Sequence, residues 1–296
     1  MFETYLIICM IAAPSLFLGL FWWKLKSRTT KFPLGDDVKA RRQAGEHLQR
    51  RLAKLNEKLL VYFVVLVLVP MFLPVVVLMV VRPKSLGALV PALVAGGALL
   101  AVAMILSLRK CFEVVDEIQN SRLGLFGERV VSDELEVLRD DGYVIFHDLQ
   151  CQGAAGLFNL DHVVVGRGIV VVVETKTRRK PKGDPAGHKV SYDGQKLNWP
   201  TWTSTQEIEQ AIGNADWLRK ELKERLGIEV RVKAALTFPG WYVKGGPPSA
   251  PVLVENPKRL PICLSQRFRS ELPDDKIDLI RRHLDAKSRD VTFELM

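Results

Sequence analysis

The sequence predicts an α/β protein in two parts, in which three membrane-spanning helices precede a water-soluble domain whose elements run αβββαβ. Two observations separate the parts: long uncharged apolar runs are confined to residues 1–108, whereas residues 109–296 have the mixed composition of a folded soluble domain. A third observation sets the fold class. Within residues 109–296, helix-like and strand-like periodicities follow one another in that order.

The membrane prediction rests on three uncharged stretches, each 19–23 residues long, at positions 5–23, 59–81 and 86–108. At ~1.5 Å per residue, helices of this length cross roughly 30 Å of hydrocarbon. The first stretch has no basic residue before it and ends in aromatic residues next to Lys24. It is therefore interpreted as a retained anchor and not as a cleaved signal peptide.

Positive charge lies mainly between the first two spans, where residues 24–58 carry +7 of the chain's net +9. The positive-inside rule places this loop in the cytoplasm and the N-terminus outside. Residues 109–296, with a net charge of only +1, then form a cytoplasmic domain. We therefore expect a multi-pass protein of the cell inner membrane that contacts lipid through three helices.

The basic loop itself contains a helical pattern that leads into the second span. Leucines recur at the helical spacing of three and four residues, at Leu48, Leu52, Leu55 and Leu59. Two interpretations stay open. This helix either packs on its neighbours or lies on the anionic inner leaflet through its basic residues.

The soluble domain is predicted to contain the following elements: a helix over 113–139 with a break near Gly124, strands over 143–149, 158–165 and 169–174, a basic loop over 176–202, a helix opened by the capping box Ser204-Thr205-Gln206-Glu207 and closed by Gly227, strands over 230–238 and 252–255, and a helix near 273–284. Gly142 ends the first helix. The third strand is apolar on both faces, which predicts a central position in a sheet.

Two carboxylates and a lysine fall where they can meet. Alternation places Asp161 on one face of the second strand, and Glu174 and Lys176 on one face of the third. If these strands pair as a hairpin, Asp161 and Glu174 converge into a hard-oxygen site suited to Mg²⁺ or Mn²⁺. Lys176 would then orient an attacking water or neutralise phosphate charge, and Glu128 can reach the same point from the preceding helix. A structural ion pair between Glu174 and Lys176 is the alternative, and His162, which faces the other way, is interpreted as a satisfied core histidine.

These residues belong to a series of motifs that resembles the NERD (nuclease-related) domain and, more broadly, the PD-(D/E)XK nuclease signature. The matching pieces are Gly127-Glu128, Asn159-Leu160-Asp161-His162-Val163-Val164-Val165-Gly166, Glu174-Thr175-Lys176, Gln210-x-x-x-Asn214-Ala215-x-x-Leu218 and Phe238-Pro239-Gly240-Trp241. The resemblance covers residues 120–245 and leaves out the predicted spans.

The resemblance implies a restriction-endonuclease-like core that cleaves nucleic acid with the help of a divalent metal. Carried over by position, Asp161 and Glu174 would bind the metal and Lys176 would be the catalytic lysine. Glu128 and Gln210 would support them. The acidic and lysine positions show no departure from the family pattern.

The loop after the third strand adds a candidate nucleic-acid contact. Among its basic residues are Arg178, Arg179, Lys180, Lys182 and Lys189, of which the first four are the candidate contacts. They would grip a phosphate backbone, while the aromatic residues that follow, Tyr192, Trp199 and Trp202, stack on unpaired bases. A merely solvated charged loop is the alternative.

The sequence thus predicts a membrane-anchored, divalent-metal-dependent nuclease at the cytoplasmic face, with DNA favoured over RNA as the substrate. The alternative is a catalytically silent module that binds nucleic acid or a protein and signals at the membrane. A transport role ranks third, because the predicted spans contain no ionisable residue to mark an ion path.

Overall fold

The computed structural model describes most of the predicted soluble domain and parts of the N-terminal region. The residues that it describes are 16, 19–20, 22–24, 39–81, 86–154, 156–181, 183, 188–267 and 272–291. The side chains of residues 71, 73–81, 86, 88–89 and 92 lie outside this set. The chain divides into two compact units, residues 1–39 and 40–296, and all the elements that follow lie in the second.

The described residues of this unit form both helices and strands. The helices are α1 Glu46–Val81, α2 Leu86–Leu135, α3 Gln206–Leu226, α4 Leu260–Arg267 and α5 Asp274–Ser288. The strands are β1 Ala40–Arg41, β2 Val144–Gly153, β3 Gly156–Gly166, β4 Ile169–Thr175, β5 Lys189–Tyr192, β6 Leu197–Asn198, β7 Thr203–Ser204, β8 Val232–Thr237, β9 Tyr242–Lys244, β10 Val252–Glu255 and β11 Arg289–Val291. When the short strands β5, β6 and β7 are left out, the order α2-β2-β3-β4-α3-β8 is the predicted αβββαβ order.

The two long helices, α1 and α2, pack on each other. Leu55 of α1 is buried against Val114 and Ile118 of α2. At this leucine, the contact supports the first of the two interpretations, in which the helix that leads into the second predicted span packs on its neighbours.

The second and third predicted spans are helical, and many of their described apolar side chains are exposed. Leu60, Phe63, Val94 and Leu99 are each more than half exposed. Among the residues that the structure describes, no helix is both long and apolar enough to cross a membrane. The first predicted span lies largely outside these residues, and the turn at 82–85 lies wholly outside them.

Helix α2 continues through Gly124, so the predicted break there is wrong. A side chain at this position would lie only 3.1 Å from the Cδ1 atom of Leu48. The glycine therefore allows close approach of α1 and does not interrupt the helix. A 3-10 turn, Glu136–Arg139, follows α2, and Gly142, with a φ of +83°, ends the helical segment as predicted.

A five-stranded mixed sheet in the order β10-β8-β4-β3-β2 forms the centre of the domain. Strands β2, β3 and β4 are antiparallel neighbours, whereas β4, β8 and β10 run parallel. The turn between β3 and β4 needs two residues with positive φ, Arg167 (+46°) and Gly168 (+75°), as a two-residue hairpin requires. Every residue of β4 is buried, which confirms its central position.

Helices cover both faces of this sheet. On one face, apolar residues of α3 and α5 pack against Val163, Val172 and their neighbours. On the other face, α2 and α4 pack against Val164, Val171 and Val173. The buried apolar residues of α3 include Ile208, Ala215, Leu218 and Leu222, and Gly227, with a φ of +66°, ends that helix as predicted.

The predicted capping box of α3 takes a different form. Thr205, at the N-cap position, makes no side-chain capping bond. Instead, the Ser204 hydroxyl donates a hydrogen bond to Oε2 of Glu207 at 2.6 Å. Glu207 also binds Arg178, so its carboxylate is held by two side chains.

Part of the predicted basic loop forms β-strands. Strands β5, β6, β7 and β9 form a small second sheet in the order β7-β6-β5-β9. Val190, Tyr192, Leu197 and Trp199 from this region are buried in the main core. A merely solvated loop is therefore wrong for residues 189–199.

Candidate active site

The two carboxylates predicted to converge lie opposite each other on the β3–β4 hairpin. The ladder pairs His162 with Val173, and the next positions in this register are Asp161 and Glu174. Both side chains are buried. Asp161 Oδ2 accepts the backbone N–H of Thr175 at 2.8 Å, which ties the end of β4 to β3.

Glu174 is held by three side-chain donors. The Lys176 ammonium donates to its Oε1 at 2.7 Å, and the Gln210 amide donates to the same oxygen at 2.7 Å. The Asn214 amide donates to Oε2 at 2.8 Å. The predicted residues Glu174, Lys176 and Gln210 are therefore in direct contact.

Asn214 is a site residue that the sequence analysis named only as part of a motif. It follows Gln210 by one helical turn, so both amides lie on the face of α3 that covers Glu174. That spacing was the available signal. An asparagine buried on an otherwise apolar helix face needs a partner, and Glu174 is that partner.

Negative charge in this site is not balanced. Burial raises the pKa of Asp161 well above its ordinary value, and the charges of Glu174 and Glu128 raise it further. The Thr175 N–H and the Lys176 cation act in the opposite direction without cancelling the rise. Burial of a charge is costly unless it is paired, so the site is poised to accept a cation.

Glu128, on helix α2, lies in the same electrostatic environment. Burial raises its pKa to about 7; the His47 charge lowers it, and the Asp148 and Glu174 charges raise it. Its Oε1 and Oε2 atoms are not equivalent, because Oε2 is buried and has no hydrogen-bond partner among the described residues. Because the Glu174 charge acts on the pKa of Glu128, the two carboxylates lie near each other, which supports the predicted approach of Glu128 to the site.

Lys176 remains a cation in this surrounding. Burial acts to lower its pKa, but the neighbouring carboxylates, Glu174 foremost, together outweigh burial, and the pKa lies above the ordinary lysine value. Asp161 and Glu207 add to the rise. Lys176 is consequently suited to neutralise charge and unsuited to accept a proton.

The donor set fits a hard divalent cation bound through few protein ligands. Among the described residues, no group of three or more His, Cys, Asp or Glu side chains is arranged to hold a metal ion. Mg²⁺, however, commonly binds through one or two carboxylates, with water and substrate phosphates completing its shell. Asp161 and Glu174 supply two such carboxylates, and each carboxylate oxygen has two lone pairs, so the hydrogen bonds to Glu174 leave acceptor capacity.

A second polar cluster, absent from the sequence analysis, lies beside Glu128. Asp148 is completely buried and accepts four hydrogen bonds from three residues: Arg42 at 3.2 Å, Asn159 at 2.6 Å, and both the backbone N–H (2.7 Å) and the ring Nδ1 (2.5 Å) of His47. Arg42 also binds Asp290. Arg42, just before α1, and His47, at the start of α1, are thereby fastened to the α/β domain.

Strict alternation along β2 fails at Asp148. This residue has a φ of +48°, in the left-handed region. Alternation changes phase there, so that Phe146 and Leu149, three residues apart, lie in the same core. The Asp148 carboxylate accepts a hydrogen bond from the amide of Asn159 on β3 at 2.6 Å.

His162 is buried in the opposite face of the sheet, as predicted, but only half of its ring is satisfied. Its Nδ1 lies 2.9 Å from Nδ1 of His147, whereas its Nε2 has no partner among the described residues. Burial lowers the pKa of His162 well below its ordinary value and that of His147 to about 4. Both rings are therefore neutral near pH 7, and the interpretation of His162 as a fully satisfied histidine is wrong.

The predicted nucleic-acid contacts differ in how firmly they are held. Arg178 pairs with the buried carboxylate of Glu207, and Arg179 donates to the Gln119 amide at 3.2 Å. Lys180 is exposed. Lys182 lies outside the described residues.

The fold and the site together define a mixed α/β domain with a buried carboxylate–lysine centre at one end of its sheet. A known protein family matches part of this domain. Residues 123–239 match the family model of NERD, the nuclease-related domain. The matched segment is less than half of the chain, and it contains Glu128, Asp161, Glu174, Lys176 and Gln210. No curated protein matches the chain.

Proposed function

We propose that this protein is a divalent-metal-dependent nuclease that hydrolyses phosphodiester bonds of nucleic acid, with DNA favoured over RNA. The observation that carries the proposal is the direct contact of Lys176 with Glu174, opposite the buried and electrostatically unbalanced Asp161. The match of residues 123–239 to a nuclease-related domain supports it.

Each side chain has a part in this reaction. Mg²⁺ or Mn²⁺ held by Asp161 and Glu174 would polarise the scissile phosphate and activate water. Hydrolysis forms a bond from the water oxygen to phosphorus and breaks the bond from phosphorus to the leaving sugar oxygen; the water gives up a proton and the leaving oxygen gains one. Lys176, protonated and 2.7 Å from Glu174, neutralises charge that develops on the phosphate. The amides of Gln210 and Asn214 hold Glu174 in position.

Replacing Glu174 tests the proposal. The full chain in detergent is incubated with single-stranded DNA, duplex DNA and RNA in Mg²⁺ or Mn²⁺. Glu174→Gln is expected to lower the cleavage rate by more than about 100-fold, beyond the loss typical for residues that only support a metal ligand. Glu255→Gln is the matched control, because Glu255 is a buried carboxylate at the end of the parallel strand β10.

Two results would contradict the proposal: no cleavage of any of these substrates by the wild-type protein, or cleavage that survives Glu174→Gln. Metal removal with a chelator should abolish activity, and Mg²⁺ in excess should restore it.

A second candidate function is a silent module that binds nucleic acid or a protein. The observation in its favour is that both oxygens of Glu174 already accept hydrogen bonds from side chains, while no described group of three potential ligands forms a metal cluster. Binding of nucleic acid in a chelator, without turnover when metal is added, would select this function.

We also propose that the nuclease is anchored in the inner membrane with its C-terminal domain in the cytoplasm. The support is the charge pattern and the uncharged stretches 5–23, 59–81 and 86–108 of the sequence. The full chain is then expected to stay with the membrane fraction after an alkaline carbonate wash. Its release into the supernatant would contradict anchoring.

A further inference from the structure

A small cavity lies directly beside the candidate active site. It has a volume of about 270 Å³ and is lined by Asn120, Leu123, Thr177, Arg178, Arg179 and Trp202. This volume is just below the range of ~300–1,000 Å³ that is usual for pockets of drug-sized ligands. The cavity therefore suits one flat ring system and not a large ligand.

The chain places this cavity within reach of the proposed scissile phosphate. Thr177 follows Lys176 directly, and Leu123 precedes Glu128 by five residues, or ~7.5 Å along α2 at ~1.5 Å per residue. At Gly127, the backbone of α2 lies directly against Thr177, because a side chain there would overlap the Thr177 methyl group. The cavity therefore begins one residue along the chain from Lys176.

One wall of the cavity is an aromatic shelf. Trp202 is 38% exposed, and its ring stacks on Trp199 with centroids 5.2 Å apart and planes 13° from parallel. Trp199 is buried and meets Phe238 and Trp241 edge to face at 5.0 and 4.8 Å. The exposed indole is therefore held in place by buried aromatic side chains, and little conformational entropy is lost when a second ring stacks on it.

Cations flank this shelf. The Arg178 guanidinium lies 5.8 Å from the centre of the Trp202 ring and 5.3 Å from that of Trp199, and the buried Glu207 holds it there. Arg179 also lines the cavity and binds Gln119 of α2. The amide of Asn120 adds a donor and an acceptor. A stacking face, a polar edge group and phosphate-binding cations are the parts of a nucleotide subsite.

We propose that this cavity binds one unpaired nucleobase of the substrate by stacking on Trp202, so that the protein acts on single-stranded or locally unpaired nucleic acid. A base inside a duplex is stacked on both faces and offers none to the indole. The proposal rests on the proposed nuclease function for its biological setting, but the binding step itself needs neither metal nor cleavage.

Binding is tested on the full chain in detergent, with a chelator present so that no strand is cut. The probe is a fluorescent oligothymidylate, and the readout is anisotropy. Trp202→Ala is expected to weaken binding by about tenfold or more, the effect of losing one base–aromatic stack. Trp202→Phe keeps a stacking face and should stay within a few-fold of wild type. Tyr242→Ala is the matched control, since Tyr242 is an exposed aromatic residue outside the cavity.

The wild-type protein supplies a test that needs no variant. The oligothymidylate should bind more tightly than a duplex of equal length and more tightly than the same strand with abasic positions. Equal binding of the abasic strand, or wild-type affinity in Trp202→Ala, overturns the inference. Cleavage in Mg²⁺ with no dependence on Trp202 would leave the nuclease proposal intact and remove this one; binding that depends on Trp202 without any cleavage would do the reverse.

Discussion

Two buried aspartates on the β2–β3 hairpin, Asp148 and Asp161, have opposite surroundings. Asp148 meets a guanidinium, a histidine and an amide, and every one of its contacts is a donor. Asp161 has one backbone donor, and the charges of Glu174 and Glu128 lie nearby. The difference shows that burial of a carboxylate does not by itself mark a reactive site; a buried charge that the protein leaves unbalanced does.

Replacing each aspartate with asparagine should give stability changes of opposite sign. Asp148→Asn is expected to lower the free energy of unfolding by about 3 kcal/mol, near the lower end for loss of one partner from a buried ion pair, because Arg42 keeps Asp290. Asp161→Asn removes a buried repulsion and is expected to raise it in the absence of metal. Thermal unfolding in a chelator, followed by tryptophan fluorescence, measures both. Equal destabilisation by the two substitutions would contradict the difference between the surroundings of the two aspartates.

The unbalanced cluster should also make stability depend on pH. The pKa of Glu128 is raised from 4.5 to about 7, so between these values the folded protein keeps a proton that the unfolded chain has lost. Its contribution to stability is therefore complete below about pH 4.5 and is lost as pH rises through 7. Between pH 5 and 8 the loss is about 2 kcal/mol, from ~1.4 kcal/mol per pKa unit.

Glu128→Gln tests this effect, because glutamine does not titrate. The substitution also removes a charge that raises the pKa of Asp161, so it reports on the unbalanced cluster, whereas His147 titrates in both proteins. The wild-type stability minus that of Glu128→Gln should fall from pH 5 to pH 8 in a chelator. Mg²⁺ should reduce the fall by favouring the ionised carboxylates. A difference that is flat with pH, or that rises, would show that Glu128 does not belong to the unbalanced cluster.

Much of the fold could be predicted because it follows from local patterns. Alternation and glycine turns locate β3 and β4, and their short connection fixes the register that brings Asp161 opposite Glu174. Helical spacing puts Gln210 on the buried side of α3. In each case the chain distances are short, so the backbone geometry alone decides which side chains meet.

The Asp148 cluster could not be predicted in this way. Arg42 and His47 lie 106 and 101 residues from Asp148 in the chain, and no periodicity connects them. The sequence analysis assigned both to the loop between two spans, although strand β1 just before Arg42 pairs with β11 at the other end of the domain. The left-handed backbone at Asp148 is a further feature that alternation does not anticipate.

Helix α2 has a mechanical consequence. It contains one proline, Pro91 near its start, and from there to Leu135 it is an unbroken rod. Helix α1 contacts α2 at Ile118 and again beside Gly124, which lies four residues, or ~6 Å, before Glu128. A tilt of about 10° about the contact at Gly124 would carry Glu128 through ~1 Å, a displacement that can change an enzymatic rate by ~100-fold. The position of Glu128 therefore depends on how firmly α2 packs on α1, a helix that lies outside the matched nuclease-related segment.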